Sequence, residues 1–205
     1  MRKRRSESGA ATVEIIFQCL DELANEEGLD GLSMREVARR ADITLASLQR
    51  YFPTKASLLS AFVDRSVETY KERVLRLEQG GETTATFEAI VRFAAHETLL
   101  VANGGIIAMI ESRIDRDEVA RQCFRSLMSS YISMLSEAIA RRFPELSDAD
   151  ARRSALVISS VLEGLPTAVF AAEAVNVTAE SVVNDVVSLA AQVPAWLSRD
   201  GRSKQ

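Results

Sequence analysis

The sequence predicts an all-α protein. Apolar residues recur three and four apart through nine stretches, Ser or Thr stands at the start of several with Gly or Pro beyond their ends, and no alternating run of convincing strand length occurs. With 47% hydrophobic and 26% charged residues over 205 positions, the chain can build a sizeable core and lacks the composition of disorder.

The first stretch, residues 11–27, places Val13, Ile16, Phe17, Leu20, Leu23 and Ala24 on one stripe, and Gly28 ends it. Ser33, with Glu36 three residues on, offers a capping box for a short helix to about Arg40. Ala41-Asp42-Ile43 is a tight connection. Thr44 then caps a helix carrying Leu45 through Tyr51, which Pro53 stops because the residue before a proline leaves the helical region. Thr54 caps a long helix over 55–79, whose apolar positions include Leu58, Phe62, Val67, Tyr70 and Val74. Five more follow over about 84–101, 105–111, 116–143, 148–173 and 178–198, with breaks at Asn103-Gly104-Gly105, Phe143-Pro144 and Asn176-Val177. Pro166 should kink the eighth, and Gly164 permits close helix approach there.

Charge is unevenly spread. Arg2, Lys3, Arg4 and Arg5 carry +4, and residues 31–60 carry +3 from Arg35, Arg39, Arg40, Arg50 and Lys55 against Glu36 and Asp42; since the whole chain is −4, the remainder is −11. A positive end on an acidic molecule suits a protein that turns one face to a polyanion.

Other classes find little support. The two cysteines, Cys19 and Cys123, lie far apart in helical patterns, and one histidine leaves no metal spacing, so neither a metal nor a cofactor is expected. No Gly-rich phosphate loop or nucleophile–base pair points to an enzyme. No stretch approaches about 18 uninterrupted apolar residues, Glu163, Gly164 and Pro166 breaking the best one, and no apolar segment follows the basic start. The expectation is a cytoplasmic protein with no membrane partner.

Helix, short turn and helix over 33–52 is the architecture of a helix-turn-helix DNA reader, whose second helix enters the major groove while the first braces it. Thr44, Ala46 and Ser47 are small or hydroxylated, so the backbone can approach a duplex at the helix N-terminus. Gln49 offers an amide fork suited to adenine, and Arg50 offers donors for guanine or phosphate. Ile43, Leu48 and Phe52 point inward.

Residues 12–64 resemble the DNA-binding head of the tetracycline-repressor (TetR) family, above all in Leu32-Ser33-Met34-Arg35-Glu36-Val37-Ala38-Arg39-Arg40-Ala41, Ile43-Thr44 and Leu48-Gln49-Arg50-Tyr51-Phe52-Pro53-Thr54-Lys55. The resemblance implies a transcriptional regulator, with repression of a palindromic operator by a dimer as the leading reading and an architectural or protein-recruiting DNA-binding role as the alternative. It places Ser33 and Met34 near the operator backbone and Arg35 at a base. Leu45, Ala46 and Gln49 become groove-facing, while Ser47, Arg50, Tyr51 and Lys55 contact phosphate, with Thr44 heading the helix. Asp42 stands where the family usually has a glycine; Asp tolerates the left-handed region better than most residues. Leu45 and Gln49 depart from the family's frequent residues, so base preference is not transferable. The basic arm fits either a DNA contact or a solubilising tail.

These readings divide the chain into a DNA-binding domain over 1–55, with 1–10 a disordered basic arm, a sensing and dimerisation domain over 56–198, and a disordered tail over 199–205. The helix from Asp148 is apolar on two sides, one carrying Ile158, Leu165 and Val169 and the other Val157 and Val161; the last helix shows the same excess in Val183, Val186, Ala190, Val193 and Trp196. A helix apolar on two sides must be covered on two sides, so these residues predict a homodimer interface. Phe93, His96, Phe124, Met128 and Tyr131 offer walls for an apolar or aromatic small-molecule effector and serve equally as packed core. Glu163 fits either a ligand's cationic group or water.

Overall fold

The computed structural model describes residues 2–79, 83–102 and 105–202, and every regular element among them is helical. In chain order these are α1 (Arg2–Gly31), α2 (Met34–Arg40), α3 (Leu45–Tyr51), α4 (Lys55–Glu78), α5 (Thr83–Ala102), α6 (Ile106–Glu111), α7 (Glu118–Arg142), α8 (Asp148–Glu163), α9 (Leu165–Ala172), a 3-10 turn (Glu173–Val175), α10 (Ala179–Ala190) and α11 (Val193–Arg202). The nine stretches are all present, the last two each divided.

Both divisions have a proline behind them. Pro166 cannot donate to the Leu162 carbonyl, and its ring crowds that carbonyl, so the helix breaks at Gly164 into α8 and α9. Pro194 stands in the same relation to Ala190, which separates α10 from α11; the continuous helix expected over 178–198 overlooked it. At the ends, α1 has helical backbone from Arg2, so the arm is not an irregular extension, and α11 runs to Arg202, past the boundary expected at 198; residues 203–205 lie outside the described residues.

The helices form two compact units, one of described residues up to Ser66 with 105–127, the other of 67–102 with 128 onward. The cut falls inside α4 and α7 rather than at residue 55.

In the first unit Ile16, Leu20 and Leu23 of α1, Val37 of α2, Leu48 of α3, Leu58 of α4 and Ile106 and Ile110 of α6 are fully buried together. Each such side chain stabilises the fold by about 1.5–3 kcal/mol. Phe17 sits at the centre, its ring 5.6 Å from Phe52 and 5.7 Å, edge-on, from Phe62. Gly28 takes φ 72°, which breaks α1 where the sequence places its end. Asp21 of α1 caps α6 across the unit: its Oδ1 accepts the Ile106 N–H at 3.3 Å. Cys19 and Cys123 are free thiols within this core, and burial pushes both pKa values up.

The second unit buries Phe87, Ile90 and Val91 of α5, Leu135 and Ile139 of α7, Ile158 and Leu162 of α8, Leu165 of α9, Val183 and Val187 of α10 and Val193 of α11. Ser147 and Thr178 cap α8 and α10 through the Asp150 and Ser181 N–H groups, at 3.1 and 3.2 Å. Contrary to the sequence expectation, residues 148–175 are long and apolar enough, by length and composition, to cross a membrane. One face of this stretch, Ala151, Ala155, Ile158 and Leu162, is buried in the unit's own core, and Leu156, Val157 and Phe170 lie exposed on the other side.

Candidate nucleic-acid interface

The geometry of α2, the turn and α3 follows from three caps and one strained residue. Ser33 Oγ accepts the Glu36 N–H at 3.2 Å. The Glu36 carboxylate does not complete the capping box; it turns forward and receives Arg39 Nε at 3.0 and 3.1 Å, which holds its carboxyl below the usual range. A guanidinium one turn ahead offers a charge-assisted bond that outcompetes a neutral N–H. Asp42 then takes φ 52°, the left-handed conformation its short polar side chain tolerates, and the chain reverses into α3. Thr44 Oγ1 accepts the Ser47 N–H at 3.1 Å and donates to Ser47 Oγ at 3.0 Å. Beyond α3, Thr54 and Ser57 cap α4 reciprocally: the Thr54 N–H donates to Ser57 Oγ and the Ser57 N–H to Thr54 Oγ1, both at 3.0 Å.

With Leu48 fully buried and Phe52 nearly so, the opposite side of α3 faces outward. Ala46, Gln49 and Arg50 are exposed at helical spacings of three and four, and Thr44 and Tyr51 flank them, also exposed. Leu45 and Ser47 are half-buried at the edge of this face. In α2, Ser33 and Arg35 are exposed, whereas Met34 packs against the core and is only half accessible.

The basic side chains here divide into two groups. Arg40 is drawn toward α1, its Nη2 2.6 Å from Glu26 Oε2, and Arg39 is paired with Glu36. Among the described residues Arg35 and Arg50 are in no ion pair, so the field of this face toward a polyanion comes chiefly from them. Lys55, half-buried, donates from Nζ to the Leu32 carbonyl at 2.8 Å.

The expected effector residues do not form one group. Phe124 packs on the core of the first unit. His96 is exposed beside Arg92 and Leu100 on the outer face of α5, so it lines no interior wall. Met128 is half-buried and Glu163 is exposed. Phe93 and Tyr131 do meet in the second unit, through a residue visible beforehand only as part of an apolar stripe: the Tyr70 ring lies 4.9 Å from Phe93 and 5.4 Å from Tyr131.

Of the expected dimer residues, Ile158, Leu165, Val183, Ala190 and Val193 are buried in the second unit's own core and have no surface to give a partner. Val161, Val169 and Val186 are half-buried, and Val157 and Trp196 are exposed, Trp196 at 67%. Leu156 and Leu189 join that exposed set.

Three comparisons bear on this arrangement. Residues 20–62 match the family model "Bacterial regulatory proteins, tetR family". The chain is 35% identical over 107 residues to the HTH-type transcriptional repressor DrrR1 of Streptomyces coeruleorubidus, covering 50% of this chain and 39% of that protein. It is 29% identical over 192 residues to an HTH-type transcriptional regulator in the dhlA 5'region of Xanthobacter autotrophicus, covering 86% of this chain and 89% of that one. In fold, a TetR-family regulator structure from Syntrophomonas wolfei superposes with a TM-score of 0.73 at 12% identity, over 91% and 96% of the two chains. The helix-turn-helix built on Ser33, Thr44 and Leu48 lies within the residues that match this family model.

Proposed function

We propose that this chain is a sequence-specific, DNA-binding repressor of transcription that binds a palindromic operator as a homodimer and releases it in response to a small-molecule effector. The observation that carries the reading is the outward face of α3, where Ala46, Gln49 and Arg50 stand exposed beyond a capped N-terminus while Leu48 anchors the helix from behind. Such a face combines close backbone approach, an amide for base edges and a cation for phosphate.

Pairing is supported by the exposed apolar side chains of the second unit. Leu156, Val157, Leu189 and Trp196 lie on α8, α10 and α11, and large apolar groups left in water mark a surface that another surface covers. Two copies related by a twofold axis present two α3 helices to one duplex, which demands half-sites about 34–36 Å apart. In the roles proposed here, Arg35 and Gln49 read bases, Ser47, Arg50, Tyr51 and Lys55 meet phosphates, and Ser33, Thr44, Leu45 and Ala46 set the approach.

Footprinting on the DNA flanking the coding region tests the reading. Protection of a few palindromic promoter sites supports it; protection dispersed along the DNA supports the architectural role instead.

A further inference from the structure

Resting on the ligand-responsive reading above, we propose that the aromatic cluster of Tyr70, Phe93 and Tyr131 binds a neutral ring compound carrying one oxygen acceptor, which the Tyr131 hydroxyl holds by donating a hydrogen bond.

Geometry defines the site. The three rings come from α4, α5 and α7 and lie within 5.4 Å of the central Tyr70, in tilted and edge-on arrangements. All three residues are half-buried. The Tyr131 hydroxyl is buried and has no hydrogen-bond partner of proper geometry among the described residues; the Tyr70 hydroxyl is close without satisfying it. A buried hydroxyl without a partner destabilises the fold unless something else satisfies it. Burial keeps this phenol protonated, and the nearby Glu163 charge adds to that, so what it offers is a proton donor.

Charge narrows the class. Glu97 acts on Tyr70 and Glu163 on Tyr131, and both oppose a second negative charge at the cluster. Arg73, a cation adjoining it, is paired with Glu97 at 2.8 Å and occupies the Phe93 face 5.9 Å from its centroid. An anion therefore meets repulsion, and a cation finds the Phe93 face already taken.

Four one-ring probes separate these cases by ligand-observed NMR on the full chain: acetophenone (neutral acceptor), ethylbenzene (no acceptor), benzoate (anion) and benzylammonium (cation). Acetophenone should bind tightest of the four, with ethylbenzene about five- to tenfold weaker, the worth of one net hydrogen bond. Tyr131→Phe should bring acetophenone down to the ethylbenzene level without lowering the unfolding midpoint, because the lost hydroxyl had no well-aligned partner among the described residues. Absence of acetophenone binding, an unchanged affinity in Tyr131→Phe, or tighter binding of benzoate or benzylammonium would overturn the proposal. A parallel titration with duplex DNA keeps the two readings apart. DNA binding without acetophenone binding sinks this site alone, whereas acetophenone binding without DNA binding sinks the regulator and leaves the site standing.

Discussion

The ammonium of Lys55, at the start of α4, donates to the backbone carbonyl of Leu32, the residue just ahead of the Ser33 cap of α2. One bond thereby ties the entry of α2 to the helix that follows α3, bracing both sides of the proposed recognition helix. Lys55→Met keeps the aliphatic stem and removes the charged donor. It should lower stability by about 1.5–3 kcal/mol, the range for a hydrogen bond to a charged group, and weaken binding to every DNA sequence alike. Urea unfolding and duplex titration measure the two effects, and a variant that changes neither would show that the bond braces nothing.

Arg35 and Arg50 should fail differently when truncated. Arg35→Ala, at a proposed base contact, should cost about 1–3 kcal/mol at one operator position and relax specificity there. Arg50→Ala, at a proposed phosphate contact, should weaken all sequences and reduce the slope of log affinity against log salt by about one. Titration of a set of single-position operator variants at several salt concentrations distinguishes them.

Val157→Asp combined with Trp196→Asp should leave a folded monomer. Both side chains are exposed in the single chain, so the helical circular dichroism should persist while sedimentation at micromolar concentration shifts from two chains to one. Operator affinity should fall by at least tenfold, since one head then binds alone. Unchanged sedimentation would remove these helices from the pairing surface.

Alkaline pH should destabilise the second unit through its two tyrosines. Burial is the first cause raising both the Tyr70 and Tyr131 pKa values above the ordinary 10.0. Above that pH the unfolded chain releases protons that the folded chain keeps, so stability falls as pH rises, by up to about 1.4 kcal/mol per pH unit for each phenol. Below about pH 9 the two states hold these protons equally and the contribution is flat. Urea midpoints between pH 8 and 11 should show a shallower decline in Tyr70→Phe and Tyr131→Phe than in the parent chain.

The helix-turn-helix was legible because its signals are local. Ser33 and Thr44 cap through their own first turns, Gly28 and Asp42 announce backbone that few other residues adopt, and Leu48 shows its side by helical spacing. The direction taken by Glu36 was not legible, since the Ser33 N–H and Arg39 were both within reach of its carboxylate. In α8 two apolar stripes competed for the interior, and spacing alone cannot tell the buried Ile158 from the exposed Val157. The break before α11 was written in Pro194 and passed over for the valine pattern around it. Tyr70 was visible only as one apolar position of α4, because its meeting with Phe93 and Tyr131 joins three helices distant in sequence.

The central claim is that α3, braced by its neighbours, lies in a DNA groove twice per assembly. Fluorescence anisotropy of a labelled palindromic duplex, titrated with protein across a salt series, tests it most directly. The account predicts saturation at an even number of chains per duplex, with affinity falling steeply as salt rises. Saturation at one chain, or an affinity that salt leaves unchanged, would contradict it.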